Sequence, residues 1–551
     1  MFRKCVSLIL ILSSYCIPQS ISGTVTSSIT QTGIQGAKIL LINNDALSID
    51  STFSNSSGNW NFDFSTSGIE DDELQPSSFI VAQNYPNPFN PSTTIEFSIS
   101  IPGNIQILVH NILGELIDFK EQYLAEGNYS VEWNSKGSAG IYFYTSRFNN
   151  TSVTKKMIQL DGGNGRGFGE IRQGEKLFKK VINKNNSINA TIFVSKSGFI
   201  TDTINAELNG GEHFNSSLVS VHSKAVVIDL HNDILEKMVF DTSYHLRDLH
   251  NYNHTDIPRL KEGGVDIQFF AVWVDPSEFP DSLYFNQSQV MLNIFNNEME
   301  MNPDEIVQAN NLSEALNIID EGNIAAVIGV EGGHTIENDL ENLRTLYDEG
   351  MRYMTITWNN STDWAISAQD PLTTTVGLSD FGKEVIRTMD SLGVIIDVSH
   401  TGIKTIEDIL QVTTNPIIAT HSNARALRNH YRNLSDEQII AIANTGGVIG
   451  VCFYPPFLGT GSVSINTVIQ HINYIVNLVG IDHVAIGSDF DGIGTVPSGL
   501  EDVSKFPDLT LKLIEQGYSN SDVEKILGGN FMRVFQQVCG NTISKYLTRT
   551  R

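Results

Sequence analysis

The sequence predicts an α/β protein whose C-terminal part closes as a (β/α)₈, TIM-like barrel over residues 224–545 and whose N-terminal part is built of all-β sandwich modules. Two patterns and one absence predict it. Beyond Val221, eight short apolar runs (225–230, 265–274, 324–330, 351–357, 394–398, 416–420, 448–454 and 483–487) recur with helix-period segments between several of them. That is the pattern of a parallel sheet with crossover helices. Before Val221 the runs alternate apolar and polar residues between Gly and Asn punctuation, as in Ala37-Lys-Ile-Leu-Leu-Ile42, which reads as short antiparallel strands. No Gly-rich phosphate loop follows the first run of the second part, so a doubly wound open sheet is the weaker choice.

The chain opens on Met1-Phe-Arg-Lys4 and a short apolar run at 6–13, the basic start and apolar stretch of a secretory signal peptide, expected at 1–22. The protein is therefore expected to be secreted or held at the cell surface, with the periplasm as a further destination. No other stretch approaches the ~18 consecutive apolar residues of a spanning helix, so no transmembrane helix is expected. With the leader gone, two of the four cysteines remain, Cys452 and Cys539, too few for a disulfide framework. At 551 residues, 40% hydrophobic and 18% charged, the composition is globular. Thirty-five basic against 62 acidic side chains give a net charge of -27, which repels phosphates and anionic head groups and excludes nucleic acid as a partner.

The N-terminal part divides further. Residues 23–70, with turns at Gly36-Ala37 and Gly58-Asn59-Trp60, resemble the first part of a carboxypeptidase-regulatory-like β-sandwich. At 76–162 stand Asn84-Tyr-Pro-Asn-Pro-Phe-Asn-Pro-Ser-Thr-Thr-Ile-Glu-Phe97, Asn111-Ile-Leu-Gly-Glu115 and Gly140-Ile-Tyr-Phe-Tyr144, which resemble the sorting β-sandwich of many secreted bacterial proteins. Such a module usually closes a chain, whereas here it lies in the middle; contact with a cell surface or export machinery is what it implies. Residues 163–222 read either as a linker with a further β segment, or as the last strands of the first sandwich, with the sorting module inserted between its halves.

In the barrel, a helix is predicted from an N-cap at Ser379, with Phe381, Val385, Met389 and Leu392 on one face, to a stop at Gly393. In such a barrel, reactive groups stand at the C-terminal ends of the strands. The first run leads into His231-Asn-Asp233, where alternation along an extended chain turns both side chains the same way. The third ends in Glu331, the fifth in Asp397-Val-Ser-His400, the sixth in Thr420-His421-Ser422 and the eighth in Ser488-Asp489-Phe-Asp491. Imidazole with carboxylate suits zinc, where calcium or magnesium would call for oxygen throughout. A carboxylate between two histidine-bearing positions can bridge two ions, an arrangement that activates water and polarises a carbonyl.

The motifs His231-Asn-Asp233, Gly329-Val-Glu-Gly-Gly-His334, Glu349-Gly-Met-Arg-Tyr353, Asp397-Val-Ser-His400, Thr420-His-Ser422 and Gly487-Ser-Asp-Phe-Asp-Gly492 resemble, in order, those of the membrane dipeptidase family. Glu501-Asp-Val-Ser-Lys-Phe-Pro507 and Gly529-Asn-Phe-Met-Arg-Val534 extend the likeness to the end. The resemblance implies a metallo-dipeptidase with two Zn²⁺ per chain, His231 and Asp233 holding one, His400 and His421 the other, and Glu331 bridging. It implies hydrolysis of dipeptides by a metal-bridging hydroxide, with Asp489 as proton shuttle. Arg432 matches the arginine that receives the substrate carboxylate, with Arg425 and Arg428 as neighbours open to the same task. A homodimer is compatible with it.

One position departs from the family pattern: Trp358 stands where well-known members carry a histidine that steadies the oxyanion. Either its indole N–H donates in place of that histidine, or Trp358 walls the pocket while Asn359 or a zinc ion supports the oxyanion; the wall is the expectation adopted. Tyr454 faces substrate or packs in the core. Asp491 reads as support of the fold, and His334, His430 and His483 as structural. Two rivals remain: a related metal-dependent amidohydrolase acting on a lactam, lactone or phosphoester, and a surface-adhesion protein with an inactive barrel. The lack of a lysine at the fourth strand end counts against the first, and the full ligand set against the second.

Overall fold

The computed structural model describes residues 19–540 except 29, 44–47, 65–78, 83, 88, 90, 112–115, 136–139, 149–150, 160–164, 174–187, 197 and 209–210. Most of the expected leader lies outside the described residues, and the first strand, Gln19–Ser27, begins within the 1–22 span. The chain divides into two compact units, one of Asp63–Ile188 and one of Ile21–Phe62 with the chain from Asn189 onward.

In the first of these units, Thr151–Gln159, Gly140–Phe148, Gly103–Asn111 and Leu116–Leu124 form one sheet. Gly167–Gln173, Gly127–Asn134, Ser92–Ile99 and Phe79–Val81 form the other. Period-two alternation explains the core: Ile95, Phe97 and Ile99 from one sheet and Ile105, Ile107 and Val109 from the other are buried, around Trp133 and Tyr144. By pairing, Gly167–Gln173 belongs to this unit, whose strands thus run past residue 162.

The second unit starts with two small sheets. Gln19–Ser27 lies between Asn59–Phe64 and, in parallel, His213–Leu218. Lys38–Asn43 lies between Ser48–Phe53 and Ile188–Ser195, with Asp202–Leu208 beyond.

From Val221 onward the unit is α/β. Ile228–Asp229, Ile267–Trp273, Ile324–Glu331, Met351–Thr355 and Ile395–Asp397 pair in parallel in that order, with Ile306–Gln308 beside Ile324–Glu331. A separate parallel pair joins Ile449–Val451 to Val484–Ile486. Strand alternation feeds two cores. Ile267, Phe269, Ala325 and Val327 point into one, with Tyr353, Phe531 and Phe535, whereas Phe270, Val272, Ala326 and Ile328 face the helices in the other. The helix Asp380–Leu392 is capped by the Ser379 side chain and stopped by Gly393 at φ +77°, a conformation that favours glycine.

Seven of the eight expected runs form strands, and the sheet is continuous through five of them. The run at 416–420 contributes only single bridges, Asp397 to Ile418 and Ala419 to Ile449. Its two middle donors, Ile418 and Ala419 N–H, reach the Ile396 and Val448 carbonyls (3.0 Å each), but the two flanking donors go to side chains. Ile417 N–H donates to Thr445 Oγ1 (3.1 Å) and Thr420 N–H to Asp397 Oδ1 (2.8 Å), while Pro416 has no N–H to give. The other seam is similar: Ser488 N–H donates to Asp229 Oδ1 (2.8 Å), and Leu230 N–H to the Ile486 carbonyl (3.0 Å).

Candidate metal centre and active site

The polar residues of the site stand where the two seam carboxylates, Asp229 and Asp397, turn strand ends into tight loops. Asp397 Oδ1 accepts from Ser399 N–H (3.0 Å), and its Oδ2 from the Thr355 (2.6 Å) and Thr420 (2.7 Å) hydroxyls, binding three segments together below His400 and His421. Asp229 does the same for Ser488, below Asp489. His400, Asp489 and Asp491 have φ of +64°, +64° and +67°. Left-handed backbone at a non-glycine residue costs about 1–3 kcal/mol and persists where the surroundings impose it.

These loops bring the five expected ligands together, all buried. Glu331 Oε1 lies 2.9 Å from His400 Nε2 and 3.4 Å from His421 Nε2, and Glu331 Oε2 lies 3.6 Å from His231 Nε2. His231 Nε2 is 3.3 Å from Asp233 Oδ2. The two oxygens of one carboxylate thus face two groups of ligands. His231, Glu331 and His421 form one cluster of ligand atoms within 4.8 Å of one another, and His231, Asp233 and Asp489 a second.

Each imidazole is held by its other nitrogen. His231 Nδ1 is 2.8 Å from the Tyr353 hydroxyl, His421 Nδ1 is 2.8 Å from Thr420 Oγ1, and His400 Nδ1 is 3.0 Å from Asn359 Oδ1. This leaves all three Nε2 atoms turned inward, the arrangement in which outer partners orient metal ligands. His400 and His421 Nε2 are 3.0 Å apart, and His231 Nε2 and Asp233 Oδ1 are buried without a hydrogen-bond partner. Such orphans are costly unless a cation satisfies them, so the residues present fit divalent ions.

Protonation runs the same way at two of the imidazoles, whereas at His231 burial is outweighed by Tyr353, Asp233 and Glu331, which hold it well above its usual value. Burial holds the His400 pKa down at about 4 and His421 well below its usual value, so both are neutral. Burial works against charge on Glu331, but His231, His400 and His421 outweigh it and keep that carboxyl well below its ordinary range. Burial raises Asp233 to about 6. Burial, reinforced by the charge of Asp233, raises Asp489 to about 8.

A cavity of about 180 Å³ opens over the cluster, lined by Asp233, Glu331, His400 and Asp489 on its polar side. Of the expected substrate contacts, Trp358, Asn359 and Tyr454 line it. Trp358 packs against Trp273, ring centres 4.9 Å apart, and Tyr454 meets Phe457 edge-on at 4.7 Å, so aromatic rings supply much of the remaining wall. Arg432 is not among the lining residues. Its buried guanidinium stacks on Phe457 (5.3 Å) and donates from Nη2 to the His421 carbonyl (3.2 Å), while its Nε has no partner. Arg425 and Arg428 donate instead to backbone carbonyls, those of Asn433 and Pro456. Asp491 Oδ1 accepts from His254 N–H (2.7 Å) and lies outside both ligand clusters. His334 and His483 bond the carbonyls of Val274 and Gly447.

Sequence reasoning assigned no role to Tyr353, Trp273, Phe457, Lys237 or Cys452. Tyr353 ends the motif Glu349-Gly-Met-Arg-Tyr353, and Trp273 and Cys452 lie near the ends of apolar runs. Apart from Lys237, these residue types are ordinary in a core, so position alone is the available signal.

Residues 83–159 match the secretion system C-terminal sorting domain, a mark of an exported protein. No helix among the described residues is long and apolar enough to cross a membrane. The fold is similar to dipeptidase AC, a metallopeptidase of family M19, at 25% identity and a TM-score of 0.55, over 58% of this chain and 100% of that one. It is similar to a protein described as the probable dipeptidase PvdM from Pseudomonas aeruginosa, at 25% identity and a TM-score of 0.54, over 58% and 96%. A metallopeptidase from Rhodobacter sphaeroides, solved with a phosphinate mimic of the dipeptide L-Ala-D-Ala, shares the fold at 24% identity and a TM-score of 0.53, over 57% and 99%. Residues 216–546 match the family described as membrane dipeptidase (peptidase family M19), and the chain belongs to that family.

Proposed function

We propose that the protein hydrolyses dipeptides at a centre of two zinc ions, one held by His231 and Asp233, the other by His400 and His421, with Glu331 between them. The observation that carries this reading is the split of Glu331, whose Oε1 faces two imidazoles while its Oε2 faces the third. Bound there, a pair of divalent cations would lower the pKa of water towards neutrality and polarise the substrate carbonyl. Asp489, on the cavity wall beside Asp233, takes the proton of the attacking water and passes it to the leaving amine; a carboxyl held near neutral pH suits both halves of that task. Arg432 receives the substrate carboxylate, a role supported by its unpartnered Nε and its place behind Phe457. Trp358 walls the side-chain pocket, which its packing on Trp273 supports. Asn359 orients His400, and Tyr454 borders the substrate.

The hydrogen bonds across both seams support reading the sheets, with the 416–420 run as an irregular eighth segment, as one closed barrel. The pairing of Gln19–Ser27 with His213–Leu218 and of Lys38–Asn43 with Ile188–Ser195 supports reading the sorting module as an insertion within a first sandwich. The exported chain then meets its export machinery or the cell surface through these β modules.

The test is direct. Full-length protein, stripped of metal and reloaded with zinc, is assayed against dipeptide, tripeptide and lactam substrates. Zinc-dependent cleavage confined to dipeptides is expected. Cleavage of the lactam alone, or no bound zinc after reloading, overturns the reading.

A further inference from the structure

We propose that Cys452 is a positioning residue for Asp489: its buried thiol donates a hydrogen bond that holds one carboxylate oxygen so that the other faces the cavity. The assignment rests on the reading of Asp489 as proton shuttle given above. Cys452 follows the strand Ile449–Val451 and is wholly buried. Its Sγ–H donates to Asp489 Oδ2 at 3.3 Å, and the same sulfur accepts from the Tyr454 N–H at 3.4 Å. With both sides of the sulfur engaged, the thiol has one orientation available. Its backbone is fixed as well, since the Asn423 side chain donates to the Cys452 carbonyl (3.0 Å) and Phe453 N–H to the Ser488 carbonyl (3.1 Å).

No other described side chain donates a hydrogen bond to the Asp489 carboxylate. Its second oxygen, Oδ1, lies towards Asp233: a methyl placed on Gly492 would meet Asp489 Oδ1 at 2.7 Å and Asp233 Oδ2 at 2.2 Å. Gly492, which lines the cavity, thus leaves the room that both oxygens occupy. A residue that moves a proton must present one oxygen at a fixed place, and misplacement by about 1 Å can cost a hundredfold in rate. A thiol suits this post because S–H is a weak donor. It orients the carboxylate while withdrawing less of its basicity than a hydroxyl or amide would. Burial keeps the thiol protonated, and hence a donor.

The test uses the full chain with Cys452→Ser, Cys452→Ala and Asp489→Ala. In the metal-free protein the infrared S–H stretching band of Cys452, identified by its loss in Cys452→Ser, should be shifted to the frequency of a bonded thiol and should move towards the free value in Asp489→Ala. A band at the free frequency, or one indifferent to Asp489→Ala, overturns the proposal. In the zinc-loaded enzyme, Cys452→Ala should lower kcat by about tenfold with KM within about twofold, and Cys452→Ser should recover most of the loss by keeping a donor. Unchanged kcat in Cys452→Ala, or equal damage in both variants, assigns the cysteine to packing and overturns it. Should the wild type cleave no dipeptide, the functional reading fails by itself, and the infrared band still decides whether the hydrogen bond exists.

Discussion

Removing a single oxygen atom from Tyr353 should weaken one of the two proposed zinc sites while leaving the fold intact. Tyr353 is fully buried, and its hydroxyl lies 2.8 Å from His231 Nδ1. Its ring fills the space beside Gly329, where a methyl would come within 2.1 Å of it, so phenylalanine occupies the same volume without repacking. Tyr353→Phe therefore strips His231 of its outer partner and little else. A buried polar group left unpaired costs about 1–3 kcal/mol. Loss of an outer partner of a metal ligand typically lowers affinity about 10–100-fold, equivalent to about 1.4–2.7 kcal/mol. The two estimates overlap. Zinc titration of the metal-free variant against a chromophoric chelator should show one of two affinities reduced by about 10–100-fold, that of the ion on His231 and Asp233. His400 and His421, steadied by Asn359 and Thr420, should bind as before. Two affinities within about twofold of wild type, in a folded variant, would refute the claim that outer partners tune this centre.

Asp489→Asn should lower kcat by ~10²–10⁴ with zinc content unchanged, and a variant that loses metal instead would make Asp489 a ligand. Without metal, Asp489 titrates at about 8 in the folded protein against 3.8 for a free aspartate. Its stabilising contribution is full below about pH 4 and lost as pH rises through about 8, so metal-free Asp489→Asn should lose less stability than wild type between pH 5 and 9 in urea melts. Parallel losses would remove that carboxyl from the account. Arg432→Ala should mainly raise KM, with an effect that vanishes for C-terminally amidated dipeptides; equal damage to both substrates would refute its role as carboxylate receiver. Trp358→Phe should leave kcat nearly intact and change which side chains are accepted, whereas a fall in kcat of ~10²-fold at constant KM would make the indole N–H an oxyanion donor.

Where a fold element depends on local periodicity, it can be read from the chain. Ser379 and Gly393 bound a helix because a hydroxyl cap and a left-handed stop act within four residues of the helix ends. The run at 416–420 has the apolar composition of its neighbours, yet it forms no strand. The acceptor of its last N–H is the carboxylate of Asp397, 23 residues earlier, and nothing in the run itself announces that partner. The Gly167–Gln173 strand is similar, since its Gly-rich start reads as linker and only the pairing with Gly127–Asn134 makes it part of a sheet.

The site divides along the same line. A histidine or carboxylate at the end of an apolar run stands out because burying it alone is unfavourable, and several such residues in order point to something they share. A tyrosine or a cysteine within such a run is ordinary in any core and carries no such mark. Tyr353 supports His231 from three strands along the sheet, and Cys452 reaches Asp489 from the neighbouring strand. Both contacts are fixed by register between segments 122 and 37 residues apart, so each comes into view only once the strands are paired. The proposed ligands are therefore legible as chemistry in a single chain, whereas the groups that orient them are legible only as geometry. Variants in this second set should accordingly change affinity and rate while leaving the recognisable motif untouched.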